Sequence, residues 1–289
     1  MTAQLLSSPI LATIPTHARY LHFRLRADVD SKELRLSLAR LQEFCQSASH
    51  VWGLSFNLAE KLGLTIAGLS EFKQIAGSQI NIPGLSSELW LWLRGDDPGI
   101  LFHQQRKLVH ILAREFELSH VTVAFRHREG RDLSGYVDGT ENPQGEDALA
   151  TALRSDGSSL VAIQRWRHRF DDLARYSEAE QDQMIGRRQS DDVELEDAPA
   201  SAHVKRTAQE EFQPAAFVLR RSMPWAEQTE AGLYFTAFAT DLSAFEAQLR
   251  RMSGAEDGIV DSLFKFSQPE FTAYYWCPDR ADTSWLAPD

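Results

Sequence analysis

The chain has 289 residues, 43% of them apolar and 25% charged, and carries 30 basic against 41 acidic side chains for a formal charge of −11. This composition fits a folded globular protein and excludes a collagen-like, disordered or disulfide-framework chain. The charge argues against nucleic acid or an anionic membrane surface as the main partner. Residues 1–145 are balanced in charge, so the acidic excess lies entirely in the second half. Cys45 and Cys277 match no disulfide framework or metal motif and read as small core residues in a reducing compartment. No stretch approaches the roughly 20 apolar residues of a membrane span. The opening residues lack a basic region followed by an apolar core, so a cytoplasmic protein is expected.

In chain order, Tyr20 to Leu25 alternates with a period near two and predicts a strand. Asp30 or Ser31 caps a helix whose stripe is Leu34, Leu38, Leu41 and Phe44. His50 to Leu58 reads as a strand, and Leu89 to Leu93 as a buried one. Pro98 suits the start of a helix over Ile100 to Phe116, and Val121 to Phe125 closes the first half as a strand. The order β-α-β-β-α-β is the split βαβ of a ferredoxin-like unit. The second half repeats it less clearly. Strands are expected at Leu160–Phe170, Phe217–Arg220, Leu233–Ala239 and Thr272–Trp276. Helices are expected over Asp171–Met184, where Ser177 and Glu180 form a capping box, and over Leu242–Met252, with a short one within Ile259–Phe266. The predicted fold is therefore α+β, with two ferredoxin-like halves packed together as in dimeric α+β barrels. Residues 1–128 form the first half, 129–150 a linker loop and 151–289 the second half.

The linker carries Gly135-Tyr136-Val137-Asp138-Gly139-Thr140-Glu141-Asn142-Pro143, an aspartate held between turn residues, which is how loops present functional side chains. This stretch resembles the G-x-x-D-G signature of the dye-decolourising peroxidases, with the Thr-Glu-Asn-Pro that commonly follows. His203, in Ala202-His203-Val204-Lys205-Arg206, resembles that family's proximal haem ligand. Val218 to Trp225 resembles its distal-arginine stretch, and Gly232 to Phe238 its pocket-lining strand. The likeness covers the fold pattern of the whole chain, with motif agreement over roughly 135–240, and is nearest to the compact bacterial subgroup called type B.

The resemblance implies a haem peroxidase binding haem b (iron protoporphyrin IX). It would reduce hydrogen peroxide and oxidise small aromatic donors, dyes and phenols, by one-electron steps through a ferryl intermediate. His203 would be the axial iron ligand, with a carboxylate behind it to raise its basicity. Asp261 is the first candidate for that carboxylate and Asp257 the second. Asp138 would move the proton that heterolysis of peroxide requires, and Arg220 would stabilise charge on the leaving oxygen. Strand alternation sends Arg221 to the opposite face from Arg220. Ser222 stands where many members have asparagine and suits a water or peroxide contact. Leu233 and Phe235 would line the pocket, and Arg187 would approach a haem propionate. A homo-oligomer is the default assembly. The short tail after the last strand, Asp282 to Asp289, argues against encapsulation directed from that end. Two rival readings are a haem-handling protein, for porphyrin or iron, with little turnover, and a haem-free interaction protein.

Overall fold

The computed structural model describes residues 8–287. Residues 1–7, part of the stretch read for a leader, and 288–289, the end of the tail, lie outside the described residues. The first half runs β1 (His17–Leu25), α1 (Ser31–Ala48), β2 (Val51–Leu54), α2 (Phe56–Lys61), β3 (Leu89–Gly95), α3 (Pro98–Leu112) and β4 (Phe116–Phe125). After the linker come α4 (Gly145–Ala152), β5 (Ser159–His168), α5 (Phe170–Leu173), α6 (Glu178–Ile185) and α7 (His203–Thr207). The chain then continues through β6 (Leu219–Arg220), β7 (Met223–Glu227), β8 (Glu230–Ala239), α8 (Ser243–Met252) and β9 (Ser267–Cys277).

Local chemistry accounts for most boundaries. Asp30 caps α1 by accepting from the Lys32 amide, and Leu34, Leu38 and Leu41 form its buried stripe. Asp97 accepts from the Gly99 and Ile100 amides at 2.7 and 2.9 Å and starts α3 one residue before Pro98. The expected continuation of α3 to Phe116 fails because Phe116 pairs with Leu25 as the first residue of β4. The strand expected over His50–Leu58 stops at Leu54, where Ser55 caps α2 through the Leu58 amide. The linker is not loop throughout, as α4 begins at Gly145, inside the expected 129–150 segment. Its first-turn acids, Glu146 and Asp147, were the available signal. The capping box of Ser177 and Glu180 opens α6.

Each half forms an antiparallel four-stranded sheet of ferredoxin-like order. The first is β2-β3-β1-β4 and the second β9-β5-β8 followed by the interrupted strand β6/β7. The sheets also join each other. Leu54 pairs with Trp276 and Ala124 with Trp225, so eight strand positions close into a ring. Period-two alternation then gives every strand an inner and an outer face. Tyr20, Trp90, Trp92, Tyr234, Phe238 and Tyr275 fill the interior and are fully buried. Leu21, Phe23, Leu89, Leu91 and Leu93 face outward under the helices, against Leu34, Leu38 and Leu41.

Closure brings β5 and β8 very close at Gly232. A Cβ there would lie 1.9 Å from the Trp166 carbonyl oxygen, which accepts the Trp225 indole N–H at 3.0 Å. Gly232→Ala forces apart a backbone contact that no side-chain rotation relieves. It should cost about 3 kcal/mol, read as a lower urea midpoint with an unchanged slope.

Candidate active site

A cavity with about 830 Å³ of empty space, counting its open mouth, lies on the outer face of the second sheet. All its lining residues come from positions 132–267. Leu233 and Phe235 of β8 project into it, as do Gln164, Trp166 and His168 of β5. Phe245 of α8 closes part of the wall, its ring 6.1 Å from that of Phe235. An outer cleft continues from the cavity and shares Asp138, His203 and Arg220 with it.

His203 is the first residue of α7, and its Nδ1 lies 2.7 Å from Asp261 Oδ2. Asp261 is 1% exposed. Its other oxygen accepts the Leu263 amide at 2.8 Å and caps the 3-10 turn Ser262–Lys265. With the carboxylate ionised, the imidazole carries its proton on Nδ1, which leaves Nε2 as the free lone pair. Nε2 makes no hydrogen bond among the described residues. Asp257, the second candidate, instead takes Arg206 through both oxygens at 2.7 Å and so secures the far end of α7. Ser262 ties the Asp261 turn to the segment just before α7, its amide donating to the Ser201 carbonyl at 2.7 Å.

Asp138 and Arg220 come from different segments that are clasped together by Asn142. The Asn142 amide group donates to the Arg220 carbonyl at 3.0 Å and accepts the Arg220 N–H at 2.8 Å. It thereby imitates a strand partner and fixes the linker against β6. Arg220 Nη1 lies 3.9 Å from Asp138 Oδ1, in reach for attraction and beyond a hydrogen bond. Its guanidinium makes no hydrogen bond among the described residues, and its Nε is buried without a partner. Upstream, a tight turn sets the direction of Asp138, with the Asp132 amide donating to the Tyr136 carbonyl at 2.8 Å. Gly135 in that turn has φ +97°, and a Cβ would meet Gln189 Nε2 at 2.5 Å, so only glycine fits.

The remaining expected residues are more dispersed. The Ser222 hydroxyl is buried without a partner and belongs to a small adjoining hollow shared with Asp138 and Leu233. Arg187 lies in the outer cleft, bonded to Glu141 at 2.7 Å, Glu194 at 3.2 Å and the Asp192 carbonyl at 3.1 Å. Arg221 turns away from the site, as alternation requires, and holds the Ile10 and Leu11 carbonyls at 3.0 Å.

Sequence reasoning missed a buried relay on the cavity wall. His168 Nδ1 lies 2.7 Å from Ser267 Oγ, and its Nε2 lies 3.0 Å from Asp132 Oδ1. Asp132 Oδ2 also accepts the Ser134 amide and hydroxyl. Two signals were present, since Asp132 lies within the motif loop and His168 shares strand parity with Gln164 and Trp166. Burial alone would raise the Asp132 carboxyl. The charge that His168 carries when protonated, its ring N–H and the Ser134 donors outweigh burial and bring the group to about 2. A carboxylate depressed on folding stabilises the protein fully above its unfolded value of 3.8 and loses that contribution as pH falls toward 2. Asp132→Asn should therefore be less stable than wild type by about 2 kcal/mol near neutrality. The gap should close below pH about 4, measured by urea unfolding across pH.

The family model described as Dyp-type peroxidase, C-terminal, matches residues 129–282. A dye-decolorizing peroxidase from Mycolicibacterium paratuberculosis is 28% identical over 251 residues, which cover 83% of this chain and 70% of that protein. Among solved structures, a dye-decolorizing protein from V. cholerae is 27% identical with a TM-score of 0.85, covering 94% of this chain and 97% of the other. A DypB variant from Rhodococcus jostii RHA1, solved in complex with heme, is 25% identical with a TM-score of 0.85 and covers 94% and 95% of the two chains. The family match runs from the linker through the cavity walls to the end of β9 and takes in more than half of the sequence, so the chain belongs to the Dyp-type peroxidase family.

Proposed function

We propose that the cavity holds haem b through His203 and that Asp138 and Arg220 form the face on which hydrogen peroxide reacts. Family membership makes the protein a haem peroxidase, with peroxide and organic donors as its substrates. The observation that carries the residue assignments is the set of unspent polar groups around one apolar cavity. His203 Nε2 is free, the Arg220 guanidinium is unbonded, and Leu233, Phe235 and Phe245 supply flat apolar walls. A planar macrocycle with one imidazole ligand and an open second face fits these residues. When bound, haem supplies the iron that takes oxidising equivalents from peroxide and releases them to donors one electron at a time.

The chain's own groups do the rest. Asp261 holds the His203 ring in one orientation and keeps its Nδ1 protonated, which makes Nε2 the more basic ligand atom. Asp138 takes the proton from the inner peroxide oxygen and returns it to the outer one, directly or through a water. Arg220 supplies fixed positive charge where the departing oxygen becomes negative, and its lack of a close partner leaves it available for that. Ser222, beside Asp138, is suited to holding the water. Arg187 would meet a propionate by exchanging one of its glutamates. Dyes and phenols as donors, a homo-oligomeric state and a cytoplasmic setting complete the reading. Two free buried cysteines support the setting, as do the exposed Ile100 and Phe102 on α3 the assembly. Among the described residues no helix is long and apolar enough to cross a membrane.

Arg220→Leu should bind haem as wild type does and lose about 100- to 1,000-fold in its rate of reaction with peroxide. His203→Ala should lose the iron-bound absorption band altogether. Haem titration followed by stopped-flow absorbance checks both. A wild-type rate in Arg220→Leu would overturn the role given to Arg220, whereas a haem-loaded wild type with negligible reaction with peroxide would favour the haem-handling alternative.

A further inference from the structure

The barrel interior contains a hydrogen-bonded, fully buried tyrosine to which the proposed peroxide reaction gives no part. Tyr234 follows Leu233 and precedes Phe235 on β8, so its backbone borders the cavity while its side chain points through the sheet into the barrel. It is fully buried, and its ring stacks on Tyr20 with centroids 3.7 Å apart and planes 6° from parallel. Its hydroxyl has two partners, Trp90 Nε1 at 2.9 Å and His22 Nε2 at 2.8 Å.

Hydrogen-bond logic fixes the direction of that pair. An indole nitrogen only donates, so Trp90 occupies an acceptor position of the phenol oxygen. The phenolic hydrogen has no acceptor among the described residues other than His22 Nε2, which takes it when the imidazole proton resides on Nδ1 and is donated to Tyr275 Oη at 3.2 Å. His22 is itself fully buried. Burial, reinforced by His120, lowers its pKa to about 3, so the ring stays neutral at ordinary pH and keeps one nitrogen lone pair able to accept. Tyr20 has no basic partner among the described residues, and the Trp92 indole nitrogen is buried without one.

A buried phenol is hard to oxidise unless its proton can leave together with the electron, because the phenol radical cation is a far stronger acid than an imidazolium, even one that burial has made more acidic. Tyr234 has the required base in place. We infer that Tyr234 and His22 form a proton-coupled redox site inside the barrel that receives oxidising equivalents from the cavity when no donor is bound. In the step, the Tyr234 phenol loses one electron to the peroxide-oxidised haem, which is reduced by that electron. The O–H bond breaks, the proton moves to His22 Nε2, and a neutral tyrosyl radical and an imidazolium result. Return of an electron from a donor and of the proton from His22 restores the phenol. The stacked Tyr20 and the hydrogen-bonded Trp90 extend the site into the first half of the chain.

The inference rests on the functional reading above, and the experiment separates the two. Haem-loaded protein is mixed with hydrogen peroxide without donor, frozen within milliseconds and studied by electron paramagnetic resonance, with ring-deuterated tyrosine to mark tyrosyl signals. Wild type should give a signal whose splitting changes on deuteration. Tyr234→Phe should reduce its yield several-fold while the optical change on adding peroxide proceeds at the wild-type rate. His22→Gln should cause the same loss with Tyr234 still present, since glutamine accepts a hydrogen bond but not a proton. If one variant fails to bind haem, the other carries the test. A wild-type yield of tyrosyl signal in Tyr234→Phe, or no tyrosine-derived signal in a wild type that reacts with peroxide, overturns this inference alone. A haem-loaded wild type that does not react with peroxide overturns the functional reading and this inference with it.

Discussion

Closure of the sheet ring is the constraint on which the other features depend. A strand in a closed barrel has no free edge and must satisfy neighbours on both sides while presenting different chemistry to its two faces. β8 carries the largest share of this demand, since it pairs with β5 on one side and with β6 and β7 on the other. Its outward residues Leu233 and Phe235 wall the cavity, and its inward Tyr234 joins the aromatic interior. A one-residue slip in its register would exchange these two sets and remove both. The reach of Trp225 across Gly232 to the Trp166 carbonyl fixes the register at the end of the strand where the barrel is tightest.

The site is then assembled by joining segments that the barrel alone would leave independent. Asn142 makes the linker a partner of β6, and Gln209 adds a second tie by donating to the Glu141 carbonyl at 2.9 Å while accepting from the Val218 amide at 2.9 Å. These bonds involve backbone groups that would otherwise be orphaned, so losing one exposes a desolvation cost as well as a lost contact. On the other side, Asp261 caps a turn and holds His203 with the same carboxylate. The two sides differ in design. The His203 side is tight and fully paired apart from one lone pair, whereas the Asp138–Arg220 side is held by its backbones and left loose between its side chains.

Much of this was legible in the sequence, and the boundary of legibility has physical causes. Strand and helix order followed from apolar periodicity, from Pro98 at a helix start, and from Asp30 and Ser177, whose side chains act on amides two or three residues away. Some errors were local, such as the unread Ser55 cap, and others arose where a distant partner decided the outcome. Phe116 belongs to β4 because Leu25 pairs with it, and β7 was overlooked because Pro224 suppresses the local strand signal although Leu233 is its partner. A barrel was expected, but the contacts that close it were invisible, since they are single pairs such as Leu54 with Trp276, between residues more than two hundred positions apart. In the site, the motif loop and its resemblance led to Asp138, and strand parity separated Arg220 from Arg221. The relay of Asp132, His168 and Ser267 stayed hidden because its members are scattered over three segments and each alone reads as an ordinary polar residue.

What sequence cannot display is how much of a side chain's bonding capacity remains unspent, and this distinguishes the groups to which the proposed reading gives peroxide chemistry. Arg187, Arg206 and Arg221 each make three hydrogen bonds, which explains their burial without any ligand. The Arg220 guanidinium is buried to a similar degree, makes none among the described residues, and faces its carboxylate at 3.9 Å. Leaving a guanidinium in that state is costly unless something else engages it. The same accounting singles out His203, with one nitrogen bonded and one free. It singles out Tyr234 for the opposite reason, because both partners of its hydroxyl are supplied by the other half of the chain and one of them is a base. The acidic excess of the second half obeys the same division. Asp191, Glu194 and Asp257 are consumed by Arg188, Arg187 with Lys205, and Arg206. Net charge therefore describes the solvent-facing shell, while the proposed peroxide chemistry rests on a few groups that the fold buries without fully satisfying.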